Sequence, residues 1–507
     1  MVILNSILTW VMKKRIHQIE LFVKYPIEVQ KELLLSLIAK AKGTEIGSTY
    51  DFKSITSYQE FSQRVPIRNY EQLYPLIERH LKGEKNILWP TDIRCFAKSS
   101  GTTNAKSKFI PVSNEALEDC HFKAGKDMLS LYVNNFNPNS KLFKGTSISL
   151  GGTLQVNPWN PDTVFGDVSA VIMQNLPVWA QIVRAPKLKT ALLEDWETKI
   201  ERIAKETIDE NITGFAGVPT WTVVLIKKVL EITGAKHIQE VWPNLELFIH
   251  GAVSFVPYQS LFQELIPDPI HYQESYTASE GFFGIQDQPD RKDMLLMLDY
   301  GIFYEFIPIE ALGEENPQAI GLESVVLGKT YAMVITTNAG LWRYLIGDTI
   351  QFTSLAPFRL KIVGRTKHFI NAFGEELMVD NADQAIQKAC DSTKAILADY
   401  TAAPVYFSEG SDGAHEWVIE FEQEPNDVEV FVSVLDHTLK ELNSDYAAKR
   451  FKDMALQTPI VHKVSKGTFY QWLQSKGKLG GQHKVPRLSN EREYVEGVLA
   501  FDANATS

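Results

Sequence analysis

The chain is 507 residues long, 44% hydrophobic and 22% charged, with a formal net charge of −11. That length exceeds one ordinary core, so two or more domains are expected, and the composition is that of a folded globular protein. The acidic balance argues against a nucleic-acid surface, and Cys95, Cys120 and Cys390 lie too far apart in sequence for a disulfide framework or a zinc set, which fits a reducing cytoplasm.

The mostly apolar stretch from Ile3 to Met12 precedes Lys13-Lys14-Arg15, the reverse of a secretory signal. Ile16, Ile19, Leu21, Phe22 and Val23 continue the spacing as an amphipathic helix packed on the body of the protein. No apolar run is long enough to span a membrane, and a cytoplasmic protein is expected. Helices are predicted over Ile27–Ala41 and Asn69–Lys82, each ending near a glycine.

Ile93 to Ala97 reads as a strand entering Lys98-Ser99-Ser100-Gly101-Thr102-Thr103-Asn104-Ala105-Lys106-Ser107-Lys108, and Asn114 to Leu129 as a helix leaving it. Glycine lets backbone approach a ligand, hydroxyls and amides donate to it, and lysine offsets phosphate charge. Taken alone, a solvated Ser/Thr turn explains this stretch equally well. Strands follow at Thr146–Leu150, Ile212–Ala216, Leu245–Gly251 and Ile270–Ser275. Helical patterns lie between them at Lys187–Glu210, Thr220–Ile232 and Tyr258–Leu265. This alternation predicts an α/β fold with a largely parallel sheet, whose ligands sit beyond the carboxyl ends of the strands.

Beyond residue 294 the strands crowd together, at 294–298, 301–308, 331–337, 349–353 and 358–363, suggesting an antiparallel sheet or a distorted barrel closing the large domain. Gly364-Arg365-Thr366-Lys367 marks a composition break. A smaller α/β unit follows, with helices 379–390, 428–442 and 468–474 and strands 415–421 and 460–464. The expected division is a large domain over 1–365 and a small lid domain over 366–507.

Three further stretches can carry chemistry. Glu280, in Tyr276-Thr277-Ala278-Ser279-Glu280-Gly281, is a carboxylate able to hold Mg²⁺ against phosphate oxygens. Gly347-Asp348, after Trp342-Arg343-Tyr344, can accept ribose hydroxyls. Lys484, in Gly481-Gln482-His483-Lys484-Val485-Pro486-Arg487, is a lysine on a glycine-rich segment. Each has an ordinary alternative as a turn or a solvated tail. Gly321 to Thr330 fails as a P-loop because six residues, not four, separate its glycines.

Taken in order, these motifs resemble the adenylate-forming, firefly luciferase-like superfamily. More narrowly they resemble the Gretchen Hagen acyl-acid amido synthetases, first known as auxin-responsive plant proteins and having bacterial relatives. The resemblance implies a large domain with mixed sheets and a distorted barrel, and a mobile C-terminal domain. It implies an ATP- and Mg²⁺-dependent ligase joining a small carboxylic acid to an amine, an amino acid by family expectation, with an acid–thiol ligase or a non-catalytic relative as alternatives. Ser99, Ser100, Gly101, Thr102, Thr103 and Lys108 would cradle phosphates. Gly251, Ala252, Tyr276 and Ser279 would border the nucleotide, with Asp348 on the ribose and Arg365 beside it. Glu280 would hold Mg²⁺, Thr366 and Lys367 would form the hinge, and Lys484 would stabilise charge during adenylation. Two departures stand out, Ala105 and Ala252, where glycines are usual. Tyr132, Trp159, Phe165, Met173, Trp179 and Trp221 are candidates for an acyl pocket, although aromatic side chains at such density more commonly pack a core. Neither the acid nor the oligomeric state is legible.

Overall fold

The computed structural model describes residues 15–99, 108–253, 255, 258–312, 314, 316–365, 369–407, 413–453, 455–476 and 485–506. Ser100, Gly101, Thr102, Thr103, Thr366, Lys367 and Lys484 lie outside these residues. The strands in chain order are β1 Cys95–Ser99, β2 Lys108–Val112, β3 Thr146–Ser149, β4 Leu154–Val156, β5 Val164–Gly166, β6 Arg184–Ala185 and β7 Ile212–Gly217. Next come β8 Leu247–Gly251, β9 His271–Ala278, β10 Gly281–Ile285, β11 Met294–Leu296, β12 Ile302–Pro308, β13 Thr330–Thr337, β14 Tyr344–Leu355 and β15 Phe358–Arg365. After the composition break follow β16 Phe369–Ile370, β17 Leu377–Met378, β18 Ile396–Val405, β19 Ala414–Gln423 and β20 Ile460–Val464.

One eleven-stranded sheet, ordered β12-β13-β14-β15-β11-β10-β9-β8-β7-β3-β6, dominates the molecule. From β6 to β9 its neighbours run parallel, and from β9 to β12 antiparallel. The expectation of a largely parallel sheet therefore holds for one half only. The crowded strands beyond residue 294 extend that same sheet, and among the described residues β12 and β6 remain open edges, so no barrel closes. Connection length explains the change. The helices Trp196–Thr207 and Pro219–Thr233 lie in the crossovers that parallel neighbours require. Between β9 and β10 only Ser279 and Glu280 intervene, and so short a turn permits only antiparallel pairing.

The elements near the site have clear local causes. Asn69 caps Tyr70–Leu81 through a reciprocal pair with Gln72. Pro219 opens its helix, where its missing N–H costs nothing. At Gly251 any Cβ would meet the Ser275 carbonyl oxygen at 2.4 Å, so β8 approaches β9 this closely only with glycine.

A four-stranded sheet, β2-β1-β5-β4, carries the Ser99 strand, and a three-stranded sheet, β18-β19-β20, lies in the C-terminal part. Helices Val379–Thr393 and Val428–Leu442 pack together beside the latter. One buried cluster includes Ile148, Phe215 and Phe248 as well as Ile370, Phe373 and Trp417, so packing continues across residue 366. Among the elements that escaped the sequence reading are β18 and the last helix, Glu493–Thr506. β18 contains an aspartate, a proline and three alanines, which dilute its strand signal. In the helix, Gly497 admits the Trp472 ring, whose Cζ2 would lie 2.9 Å from an added Cβ.

Three histidines are packed neutral: His80, His121 and His250 are 4%, 5% and 3% exposed. Burial lowers their pKa values to about 4, about 4 and about 3. Between these values and the ordinary 6.5 the unfolded chain binds more protons than the folded one, so stability falls as pH falls through that window. Urea unfolding at stepped pH from 7 to 4 is expected to show this loss, and His250→Phe to flatten part of it. An unchanged slope in the variant would contradict the assignment.

Candidate active site

Asp348 follows Gly347, whose φ of +98° suits glycine, where the β13–β14 register shifts at a bulge. The bulge helps orient a carboxylate that is only 6% exposed, and Tyr276 Oη donates to its Oδ2 at 2.6 Å. Tyr276 follows Ser275 on β9, and Ser275 lies beside Gly251 in the β8–β9 register. Gly251, Tyr276 and Asp348 thus come together near the carboxyl end of β8. The next residue, Ala252, has φ +69°, the left-handed region, which explains why glycine is usual there; alanine tolerates it at roughly 1–2 kcal/mol. Arg365 ends β15 opposite Asp348.

Glu280 sits with Ser279 in the β9–β10 turn, and Tyr344 Oη donates to its Oε1 at 3.2 Å. Tyr344 is fully buried; burial first and the Glu280 charge second push its phenol well above its ordinary pKa, so it stays a donor. Tyr70 links this carboxylate to the strand leaving the Ser/Thr loop. The Phe109 N–H donates to Tyr70 Oη at 2.7 Å, and the Lys108 ammonium lies 5.6 Å from the Tyr70 ring centroid. Burial chiefly, and Glu280 to a lesser degree, raises the Tyr70 pKa. Lys108 thus stands against Tyr70, and Glu280 is held by Tyr344.

Ser99, at the end of β1, donates to Glu376 Oε2 at 3.3 Å. The sequence reading missed Glu376 and Asn371, which belong to a turn between β16 and β17. Asn371 Nδ2 donates to the Ala252 carbonyl at 3.3 Å, while its Oδ1 accepts from the Glu376 N–H at 3.1 Å. One short turn after the break therefore touches both the Ser/Thr strand and the Ala252 corner. Gly374, at φ +84°, makes the turn, and Glu376 itself has φ +41°. Beneath it the Glu375 carboxylate accepts from the Phe373 N–H at 2.7 Å and faces His415 Nε2 at 2.7 Å, both side chains fully buried. The available signal was Gly374-Glu375-Glu376 soon after the composition break.

A cavity of about 190 Å³ opens beside these elements, lined by apolar groups including Met128, Leu129, Ile172, Phe215 and Ile249. Ser149, Ala216 and Ile249, three lining residues, stand abreast on β3, β7 and β8, two residues before the Gly251 level. The aromatic residues considered from sequence do not line it. Phe165 packs with Phe109 and Trp159, Trp221 stacks on Trp196 at 3.9 Å, and Tyr132 Oη contacts Glu246 and His271. Met173 stands behind the lining against Arg184, and the Trp179 side chain lies outside the described set. Small and aliphatic residues line the cavity instead, together with Phe122, Phe143 and Phe215, and the strand positions facing it include Gly214 and Ala216.

Among the described residues no three His, Cys, Asp or Glu side chains gather as a metal cluster. A magnesium ion arriving on ATP needs only one or two carboxylates beside the phosphate oxygens, and Glu280 fits that requirement. Among the described residues no helix is long and apolar enough to cross a membrane.

The indole-3-acetic acid-amido synthetase GH3.3 of Arabidopsis thaliana is 23% identical to this chain, with 90% of this chain and 89% of that protein aligned. The jasmonoyl–L-amino acid synthetase JAR4 of Nicotiana attenuata is also 23% identical, over 93% and 92%. Among solved structures, GH3.15 acyl acid amido synthetase superposes with a TM-score of 0.61 at 18% identity, covering 96% of both chains. A 2-hydroxyisobutyryl-CoA ligase superposes with a TM-score of 0.56 at 13% identity, covering 95% of this chain and 92% of that one. At these identities the superpositions speak for the fold. The signatures of the GH3 family N-terminal, central and C-terminal domains match in order at residues 15–270, 295–365 and 380–493, and the chain belongs to the GH3 family.

Proposed function

We propose that this protein is a ligase that activates a small carboxylic acid with ATP as an acyl-adenylate and passes the acyl group to the amine of an amino acid. The observation that carries the reading is a compact apolar cavity whose strand residues Ala216 and Ile249 lie two residues before the level of Gly251, with the Tyr276–Asp348 pair beyond it. Family membership and the relatives that are amido synthetases support it.

In the first half-reaction the acid's carboxylate attacks the α-phosphorus of ATP and pyrophosphate leaves. Such a displacement depends on positioning and on positive charge around the phosphates. Ser99, the residues that follow it and Lys108 hold the phosphates, Asp348 accepts ribose hydroxyls, and Lys484 contributes charge. Glu280 would hold Mg²⁺, which offsets phosphate charge. In the second half-reaction the amine attacks the acyl carbon and AMP departs. Residues 366–507 act as the lid, turning about Thr366 and Lys367 so that Lys484 and the Asn371–Glu376 turn alternate at the site. A cytoplasmic setting accords with Cys95, Cys120 and Cys390, all buried and unpaired.

Tyr276→Phe removes a donor to the ribose carboxylate, and the KM for ATP is expected to rise about tenfold, with kcat changed less. Steady-state kinetics at saturating acid decides it; an unchanged KM would detach Asp348 from the nucleotide. The reading itself is tested by pyrophosphate release from ATP and Mg²⁺ across a panel of carboxylic acids, with amino acids or coenzyme A added. Acid-dependent release accelerated by an amino acid establishes it. Acceleration by coenzyme A instead makes the chain a thiol ligase, and silence with ATP still bound makes it a non-catalytic relative.

A further inference from the structure

The turn between β16 and β17 is held from both sides of the composition break. Tyr258 Oη donates to the Ala372 carbonyl at 2.6 Å and Thr220 Oγ1 to the Phe373 carbonyl at 3.2 Å, while Asn371 Nδ2 reaches the Ala252 carbonyl. Tyr258, Thr220 and Phe373 are fully buried. From the C-terminal part, Asn443 Nδ2 donates to the Glu375 carbonyl at 2.8 Å and the Glu376 carbonyl at 3.3 Å. Asn490 Oδ1 accepts from the Asn371 N–H at 2.8 Å.

This packing fixes the place of one half-buried side chain. Glu376 keeps φ +41°, and its carboxylate accepts from Ser99 Oγ at 3.3 Å. Positive φ at a residue with a Cβ persists only where the surroundings over-determine it. Ser99 opens the hydroxyl-rich stretch, and Lys108 stands abreast of it on β2. A hydroxyl and a cation side by side suit a phosphate oxygen. The oxygen that Ser99 meets here is instead a carboxylate carried by the residues after the break. A turn that had only to dock could present a neutral group. A carboxylate repels the phosphates that Ser99 is read to hold, so the two exclude each other at this donor.

We propose that Glu376 is a built-in stand-in for an oxygen of the leaving pyrophosphate. With the turn seated, its carboxylate takes the Ser99 hydroxyl and shuts out the β- and γ-phosphates; to bind, ATP must lift the turn. This rests on the adenylation reading for which phosphates are displaced. The acyl-adenylate must stay bound while the amine attacks, whereas pyrophosphate has gone by then. Glu376 thereby orders the two half-reactions, closing the phosphate end to pyrophosphate and to a second ATP until the amide has formed.

Calorimetric titration of the full chain with ATP and with AMP, each in the presence of Mg²⁺, tests this. Glu376→Gln keeps the size and loses the charge, and Glu376→Ala loses the acceptor as well. Both are expected to bind ATP about 5- to 20-fold tighter than the parent, with AMP affinity within about twofold, because the parent spends part of its population with the turn seated. Equal gains for ATP and AMP, or no gain for ATP in either variant, overturn the proposal. A structural role for Glu376 alone would not separate the two nucleotides. Adding Ser99→Ala to Glu376→Ala should weaken ATP again, since phosphate has inherited the hydroxyl. An unchanged ATP affinity in that double variant overturns the competition at Ser99. Tighter ATP in the Glu376 variants without acid-dependent pyrophosphate release in any chain would count against adenylation and leave that competition standing.

Discussion

Lys484→Ala is expected to slow acid-dependent pyrophosphate release by about 10²- to 10³-fold while ATP affinity stays within a few-fold. The displacement at phosphorus builds charge on the bridging and equatorial oxygens, and a lysine brought up for that step acts on the transition state more than on bound ATP. Lys484 lies outside the described residues, but the chain directly after it is firmly anchored. Val485 is 4% exposed, Thr401 Oγ1 donates to the Pro486 carbonyl at 2.7 Å, and the Ala402 N–H donates to the Arg487 carbonyl at 2.9 Å. The Arg487 guanidinium also pairs with Asp399 on β18. Any movement of β18 therefore carries the residue after Lys484 with it, as a lid-borne lysine requires. Single-turnover pyrophosphate release and nucleotide titration separate the two effects. Equal loss of rate and affinity would make Lys484 a simple ATP contact, and an unchanged rate would remove it from the chemistry.

Arg343→Met is expected to destabilise the chain by about 3–5 kcal/mol, the usual result of stripping one partner from a buried ion pair. Arg343 is 5% exposed and Glu305 fully buried. The guanidinium forks onto Glu305, with Nη2 to Oε1 at 2.8 Å and Nε to Oε2 at 3.0 Å, while Nη1 donates to the Ser62 and Val65 carbonyls, both at 2.8 Å. After truncation, Tyr58 Oη at 3.0 Å still donates to the stranded Glu305 carboxylate. Arg343 also has φ +45°, and its backbone exchanges hydrogen bonds with Thr336 and Arg68. It therefore locks the segment leading to Gly347 and Asp348, and every donor described on its guanidinium is used within the protein. Urea unfolding measures the loss, and adding Glu305→Leu should recover a substantial part of it. A single variant as stable as the parent would refute the account.

This pair shows how a motif can be legible while its physics is not. Trp342-Arg343-Tyr344 through Gly347-Asp348 was readable as a unit, yet the sequence did not say that Arg343 serves the fold, Tyr344 holds Glu280 and Asp348 faces Tyr276. Those partners lie 38, 64 and 72 residues away along the chain. The small-unit helices Val379–Thr393, Val428–Leu442 and Thr468–Ser475, with β19 and β20, were legible because their periodicity records which face is buried. β18 was not, since its alanines, aspartate and proline suit a strand only when β19 and the Arg487 segment pair with it.

By itself the sequence determined much of the order of strands and helices and, through the order of its motifs, the family, and it nominated residues for phosphate, ribose and magnesium. Tertiary structure alone decided that the late strands join the parallel ones in a single open sheet, and that the Asn371–Glu376 turn meets Ser99 and Ala252. It also decided that the cavity is walled by Phe215, Ile249 and other residues of the central strands and their flanking helices rather than by the tryptophans. The physical reason is common to all three. Local pattern records whether a side chain is buried, whereas these outcomes depend on which distant surface buries it, and that is set only when the whole chain packs.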